Sequence, residues 1–222
     1  MKHHLSNQEI IKDSLLNANR LLQDAELLEL LLCLALPRKD TKVLAKDLIA
    51  KYGSFAKVVS AEKESLLEIK GIGKSILFCL KLIKESSLRL SRAEIIDRPV
   101  ISSWQELIDY CRINIGHLKK EVFMVMYLNS QNILIEEDLN EYGTVDHISI
   151  YPREITKRAL FLNSSSVILV HNHPGGSTKA SKADIEATKQ VVKALSPFNI
   201  CVHDHLIISG KSFFSFKSAG LL

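Results

Sequence analysis

A short apolar strand runs directly into two histidines and a glycine turn at residues 167–176, which read VILVHNHPGG. Extended backbone places alternate side chains on one face, so His171 and His173 can point at the same metal ion. Pro174 and the two glycines that follow it end the strand and turn the chain tightly. The pattern predicts a metal site at the end of a buried strand.

A carboxylate follows this turn at the start of the next predicted helix, which covers about 182–195. Asp184 can return from there toward the histidines, and two imidazoles, one carboxylate and a water make a catalytic zinc site with an open position. Zinc in such a site lowers the pKa of water to about 7 and polarises a carbonyl. Ser181-x-x-Asp184 is equally typical of a helix capping box, which needs no metal.

The residues around this segment alternate between strands and helices from Pro99 onward. Ser103-x-x-Glu106 has the form of a capping box, and Pro152 lies where a first-turn helical proline is favoured. This part of the chain is therefore predicted as α/β or α+β. Strands are expected near 122–128, 144–148, 166–170, 200–208 and 212–216, with a further strand that follows the turn at 129–132 and ends near 136. Helices are expected near 104–113, 152–162 and 182–195.

The first 95 residues lack strand-like alternation and are predicted to be nearly all helical. Helices are expected after Asp24, from Thr41 to near Gly53, at 60–67 and at 74–90. One face of the second of these would carry Val43, Leu44, Leu48 and Ile49. The polar stretch 87–97, followed by Arg98-Pro99, is predicted as a linker, which gives two domains at 1–95 and 100–222.

Residues 66–75, LLEIKGIGKS, resemble a helix-hairpin-helix motif. In that motif a hairpin containing two glycines, here Gly71 and Gly73, offers backbone N–H groups to a DNA phosphate at a helix N-terminus. Lys70 and Lys74 flank the hairpin and would add cationic contacts that read no base sequence. The same residues also fit a plain interhelical turn, or a domain that docks another protein.

The composition excludes several classes of protein. Hydrophobic residues make up 46% of the 222, too many for a disordered chain, and no apolar run reaches the roughly 20 residues that span a bilayer. The N-terminus lacks an apolar signal core, and the four cysteines form no CxxC pair. We therefore expect a cytoplasmic protein with reduced cysteines and no membrane partner. Its net charge of +4 lies in residues 1–95, which permits a DNA contact without requiring one.

Together these motifs resemble a known family. The spacing His171-x-His173-Pro174, with ten residues between His173 and Asp184, resembles the JAMM motif of MPN-domain metalloproteases. The surrounding sequence is similar to one bacterial branch, the RadC-like (UPF0758) proteins, and the resemblance covers nearly the whole chain. It is carried by 143–146 (GTVD), 151–155 (YPREI), 171–174 (HNHP) and 204–207 (DHLI). The loop 175–180, GGSTKA, departs from the branch, which usually has an acidic residue and prolines there.

The resemblance implies a fold, a cofactor and site residues. The fold would be a small helix-hairpin-helix domain, then a JAMM/MPN domain with a mixed sheet flanked by helices, similar to cytidine deaminases. Glu121 matches the glutamate that activates water, although it also fits a solvated strand end beside two lysines. Ser181 matches the serine that steadies the tetrahedral intermediate. One Zn²⁺ per chain would be held by His171, His173 and Asp184.

A second HxH, His203-Asp204-His205, competes for the role of ligand pair but lacks a following turn. We interpret Asp204 and His205 either as partners that orient the zinc ligands or as structural hydrogen-bonding groups.

Three functions are consistent with the sequence. The first is a zinc-dependent peptidase or isopeptidase that cleaves an amide bond in an unknown peptide or protein, in a DNA-associated setting or elsewhere. The second is a nuclease-type hydrolase that reaches DNA through the helical module. The third is a non-catalytic DNA-binding adaptor with a structural zinc, although structural sites usually have four protein ligands rich in cysteine.

Overall fold

The computed structural model describes residues 7–17, 20–37, 40–140, 143–144, 147–148, 150–210 and 212–222. Val145 and Asp146 of the 143–146 motif lie outside the described residues. The chain divides into two compact units, Met1–Ser86 and Ser87–Leu222. No helix among the described residues is long and apolar enough to cross a membrane.

The described part of the first unit is helical, as predicted. Its helices are α1 (Asn7–Leu16), α2 (Asp24–Ala35), α3 (Lys42–Tyr52), α4 (Phe55–Val59), α5 (Lys63–Leu67) and the start of α6 (Lys74–Ala93). They enclose a core of aliphatic side chains that includes Leu28, Leu48, Leu66, Ile76 and Leu80.

The helical part departs from the predictions in four respects. Val43 is 65% exposed, because the buried side of α3 runs through Ala45 and Leu48, away from Val43. The predicted linker 87–97 is helical as far as Ala93, since its residues are good helix formers and no proline interrupts them before Pro99. Helix α4 was not predicted, and the predicted helix 60–67 begins only at Lys63.

The second unit is a mixed sheet between helices, as predicted. Its strands are β1 (Phe123–Leu128), β2 (Leu134–Asn140), β3 (Gly143–Thr144), β4 (His147–Ile148), β5 (Ser166–Asn172), β6 (Cys201–Ser209) and β7 (Ser212–Ser215). Its helices after α6 are α7 (Trp104–Ile115), α8 (Pro152–Phe161) and α9 (Lys182–Leu195). Within the described residues, five strands form one sheet in the order β2-β1-β5-β6-β7, and β3 pairs with β4.

Alternation along the strands separates two cores. Met124 and Met126 of β1 join Leu107 and Cys111 of α7 on one face. The other face packs against α8 and α9 through side chains that include Phe123, Val125, Ile155, Leu169 and Val191. Phe123 pairs with His171 across β1 and β5, and directly opposed residues point to the same face. The His171 side chain therefore lies on the α9 side of the sheet.

Candidate metal centre

The two histidines of residues 171–174 lie at the end of a central strand. β5 is antiparallel to β1 and parallel to β6, and it is buried along its whole length. The pairing with β6 continues one residue beyond the end of β5, because the N–H of His173 donates to the carbonyl of Ile208 at 2.9 Å. The Ser209 hydroxyl donates to the carbonyl of His173 at 2.8 Å. Extended backbone therefore holds both imidazoles on one face, with their Nε2 atoms 3.0 Å apart.

Asp184 reaches the same point from the first turn of α9. Its Oδ1 lies 3.5 Å from Nε2 of His171, and its Oδ2 lies 3.6 Å from Nε2 of His173. The capping box predicted as the alternative is present as well. The Ser181 hydroxyl accepts from the N–H of Asp184 at 3.1 Å, and Oδ2 of Asp184 accepts from the N–H of Ser181 at 2.7 Å. One carboxylate is thus both a helix cap and a neighbour of two imidazoles.

These donor atoms fit a divalent metal. Ligand atoms of His171, His173 and Asp184 all lie within 4.8 Å of one another. Bonds of about 2.0–2.1 Å in a tetrahedral site imply separations near 3.3 Å between ligand atoms. The separations of 3.0, 3.5 and 3.6 Å lie close to that value. Two nitrogens and one oxygen also form the ligand chemistry of a zinc site that keeps an open position.

Hydrogen bonds determine which nitrogen of His173 faces the cluster. Its Nδ1 lies 2.9 Å from the carbonyl oxygen of Ser177, and a carbonyl can only accept, so Nδ1 carries the proton. In the neutral ring, Nε2 therefore presents a lone pair toward His171 and Asp184. Metal-binding histidines commonly donate their other ring N–H in this way.

The charges in the cluster are unevenly distributed in the metal-free protein. Burial lowers the pKa of His171 to about 4, whereas the hydrogen bond with Asp184 raises the pKa of His173. Burial acts to raise the pKa of Asp184, but hydrogen bonds from His173 and Ser181 and the charge of His171 outweigh it. The pKa of this carboxyl lies well below its usual value. The carboxylate is therefore charged and available as a ligand over the physiological range.

A cavity of about 450 Å³ opens over the cluster. Glu121 and Ser181 line it together with the two histidines and Asp184, and Phe123 and Ile150 form an apolar wall. Glu121 is half-buried, and its negative charge acts to raise the pKa of His173. The five residues that the resemblance singled out thus border one cavity.

Asn172, between the two histidines, was not predicted to matter. Its side chain points to the opposite face of β5, and Asn172 is 1% exposed. Its Oδ1 accepts from the N–H of Val122 at 2.8 Å, and its Nδ2 donates to the carbonyls of Leu118 and Lys120 at 3.1 and 3.0 Å. These bonds attach the segment that carries Glu121 to the strand that carries the histidines. A polar residue at the end of a mostly apolar strand, between two candidate ligands, was the available signal.

The three residues of the second HxH make different contacts. His205 is fully buried, and its Nε2 lies 2.8 Å from Nδ1 of His171. Asp204 contacts no histidine ring among the described hydrogen bonds; it accepts from the N–H of His205, the Ser215 hydroxyl and the N–H of Lys217. His203 lies against Trp104, with ring centroids 6.3 Å apart. Of this triplet, His205 contacts the candidate metal ligand His171, whereas Asp204 makes hydrogen bonds to neighbouring backbone and to Ser215.

The predicted DNA-contact residues lie in the turn between α5 and α6 of the first unit and at the first residue of α6, Lys74. Gly71 has a φ of +99°, in the left-handed region that favours glycine, and the following Ile72 is buried in the core. Gly73 has no neighbouring atom within 4 Å of an added Cβ, and Lys70 and Lys74 flank the turn. The helix-hairpin-helix assignment of this turn and its contact with DNA both remain predictions.

Comparison with known proteins gives concordant matches. A family model described as the RadC-like JAB domain matches residues 101–221. A UPF0758 protein of Ruegeria pomeroyi is 44% identical over 201 residues, which cover 90% of each chain. A UPF0758 protein of Rhodobacter capsulatus is 45% identical over 199 residues, which cover 90% of this chain and 93% of the relative.

Proposed function

Because this chain belongs to the RadC-like JAB-domain family, whose domain indicates a JAMM-type metal-dependent hydrolase, we propose that it is a zinc-dependent metallopeptidase or isopeptidase. The observation that carries the proposal is the convergence of His171, His173 and Asp184 within 4.8 Å. These residues border the cavity that also holds Glu121 and Ser181. We assign one zinc ion per chain to the three converging residues.

The proposed reaction divides between the metal and the side chains. A bound zinc ion supplies a Lewis acid that polarises the substrate carbonyl and makes water more acidic. Glu121 takes a proton from the attacking water and then delivers it to the leaving amine, since a half-buried carboxylate bordering the cavity suits both transfers. Ser181 accepts a backbone N–H with its oxygen, and its hydroxyl hydrogen can donate to the developing oxyanion.

The first test is metal content and peptide cleavage with the full chain. Wild-type protein purified without chelator should contain about one zinc per chain, and His173→Ala and Asp184→Ala should lose it. Glu121→Gln is the matched control, since it should keep the zinc but lose about 10²–10⁴-fold of the cleavage rate in a peptide-library screen. A metal-free wild type would overturn the proposal.

A second candidate is a DNA-binding adaptor or nuclease-type hydrolase. DNA binding by the helical module would also be consistent with a peptidase that acts in a DNA-repair context. The hairpin at Gly71 and the excess of basic residues in 1–95 favour it. Binding of the full chain to duplex DNA that weakens with salt, and weakens further in a Lys70→Ala, Lys74→Ala double variant, would support it. The matched control is Lys46→Ala with Lys63→Ala, which changes the charge equally outside the hairpin.

Cleavage experiments separate the two candidates. Cleavage of a peptide but not of DNA favours the peptidase, whereas zinc-dependent cleavage of DNA favours the nuclease. DNA binding without cleavage of either polymer favours the adaptor.

A further inference from the structure

We propose that Thr188 and His205 are positioning residues that hold His171 in the tautomer whose Nε2 lone pair faces the metal. The proposal rests on the proposed metal centre. It concerns a chain of hydrogen bonds on the buried side of that centre, running from the backbone of Asp184 through Thr188 and His205 to His171.

The direction of this chain is set at Thr188. Its hydroxyl oxygen lies 2.5 Å from the carbonyl oxygen of Asp184 and 2.6 Å from Nδ1 of His205. The carbonyl can only accept, so it takes the single hydrogen of the hydroxyl. The hydroxyl must then accept from His205, and the proton of that ring lies on Nδ1.

His205 determines the direction of the next hydrogen bond, which joins it to His171. This ring is 0% exposed, and its two nitrogens bond to Thr188 and His171 rather than to a carboxylate. A charged imidazole is unfavourable in such surroundings, so the ring is neutral and its Nε2 is an acceptor. Nδ1 of His171, 2.8 Å away, therefore donates to it. His171 is left with an unprotonated Nε2, which faces His173 and Asp184.

The opposite direction would disable the site. If His205 carried its proton on Nε2, it would donate to Nδ1 of His171, and the proton of His171 would move to Nε2. That proton would occupy the position a metal needs. Thr188 prevents this arrangement because the carbonyl of Asp184 already takes its only hydrogen. The first two turns of α9 thus supply one ligand, Asp184, and fix the tautomer of another, His171, through Thr188.

The decisive variant is Thr188→Val, which removes the hydroxyl and nearly preserves the shape. Thr188→Ser keeps the hydroxyl and should restore wild-type behaviour. A matched control exists in α8, where the Thr156 hydroxyl donates to the carbonyl of Pro152 at 2.8 Å in the same i to i−4 geometry. Thr156→Val loses an equivalent hydrogen bond within a helix, but that bond is not linked to a histidine. It therefore measures the structural cost of removing such a hydroxyl.

The first measurement is the tautomer of His171, read from long-range nitrogen–proton NMR spectra of metal-stripped, isotope-labelled full-length protein. We expect the proton on Nδ1 in wild type, Thr188→Ser and Thr156→Val, and population of the Nε2-protonated form in Thr188→Val. A wild-type His171 protonated on Nε2 would overturn the proposal without any variant. An unchanged spectrum in Thr188→Val would also overturn it.

The second measurement is zinc affinity by competition with a chelator. Loss of a hydrogen-bonding partner behind a ligand costs about 10–100-fold in metal affinity, so Thr188→Val should bind zinc that much more weakly than Thr188→Ser or Thr156→Val. Equal affinities would overturn the positioning role while leaving the metal centre intact. A wild type that binds no zinc would instead overturn the proposed function, and the NMR measurement would still decide the tautomer.

Discussion

Ser181 and Asp184 exchange two hydrogen bonds at the start of α9, and the Asp184 carboxylate that caps the helix also lies within 3.6 Å of two imidazoles. The sequence allowed Asp184 to be a helix cap, a metal ligand or both, and its position in the structure is compatible with both roles. The cap uses Oδ2, which also lies 3.6 Å from Nε2 of His173, and Oδ1 lies 3.5 Å from Nε2 of His171. Because the cap needs only a hydrogen-bond acceptor, whereas the metal needs a carboxylate, substitutions should separate the two roles.

Asp184→Asn should abolish zinc binding, because an amide is a much weaker ligand than a carboxylate, while it can still cap the helix. Ser181→Ala should keep the zinc but lower the free energy of unfolding by about 0.5–2 kcal/mol, the usual cost of a lost cap. Metal analysis and denaturant unfolding of both metal-free variants check this. Full zinc content in Asp184→Asn would show that Asp184 serves only as a cap.

Asn172→Ala should loosen the segment that carries Glu121. It leaves the buried N–H of Val122 and two carbonyls without their partner, which should cost about 2–4 kcal/mol of unfolding free energy. Amide exchange of Val122 should accelerate more than that of Val125, which lies within β1 and serves as an internal control. Zinc content should be unchanged, because Asn172 points away from the ligands. Equal acceleration at both amides would contradict a local role.

The metal-free protein should lose stability as the pH falls below 6.5. The pKa of His171 is lowered to about 4 and that of His205 is also lowered, both by burial. Below 6.5 the unfolded chain therefore binds protons that the folded chain does not, and unfolding is favoured. The slope should reach about 1.4 kcal/mol per pH unit for each imidazole. His173 opposes this only above pH 6.5, because its pKa is raised.

The measurement is denaturant unfolding of metal-stripped protein between pH 5 and 6.5, a window above the range in which most carboxylates titrate. His205→Gln should reduce the slope, since it removes one of the two buried imidazoles. A free energy of unfolding that is independent of pH in this window would contradict the prediction.

Gly71→Ala should destabilise the first unit by about 1–2 kcal/mol, because an alanine at a φ of +99° is strained. Gly73→Ala is the matched control two residues away. An added Cβ there meets nothing within 4 Å, and the smaller unfolded-state entropy should make the change neutral or stabilising by up to about 1 kcal/mol. Thermal unfolding of both variants checks the difference, and equal effects would contradict a special role for Gly71.

Local patterns in the sequence predicted the elements that carry the site. The apolar run before His171 predicted β5, and the capping sequence at Ser181 predicted a helix at 182–195, which matches α9. Predictions failed where a pattern was ambiguous. Val43 is apolar but exposed. The polar stretch that begins at Ser87 was predicted as a linker but continues α6, because polar residues with good helix propensity extend a helix as readily as they form a loop.

The sequence by itself determined that two histidines lie on one strand face and that an aspartate lies at a helix start, because strand alternation and helix capping are local rules. Only the tertiary structure decided how they meet. Thr188 contacts His205 across 17 residues, His205 contacts His171 across 34, and Asn172 reaches Val122 across 50. Such contacts depend on which strands become neighbours and in what register. A one-residue change in the register of β5 or β6 would turn the side chains of His171 and Asn172, or that of His205, to the opposite face of the sheet.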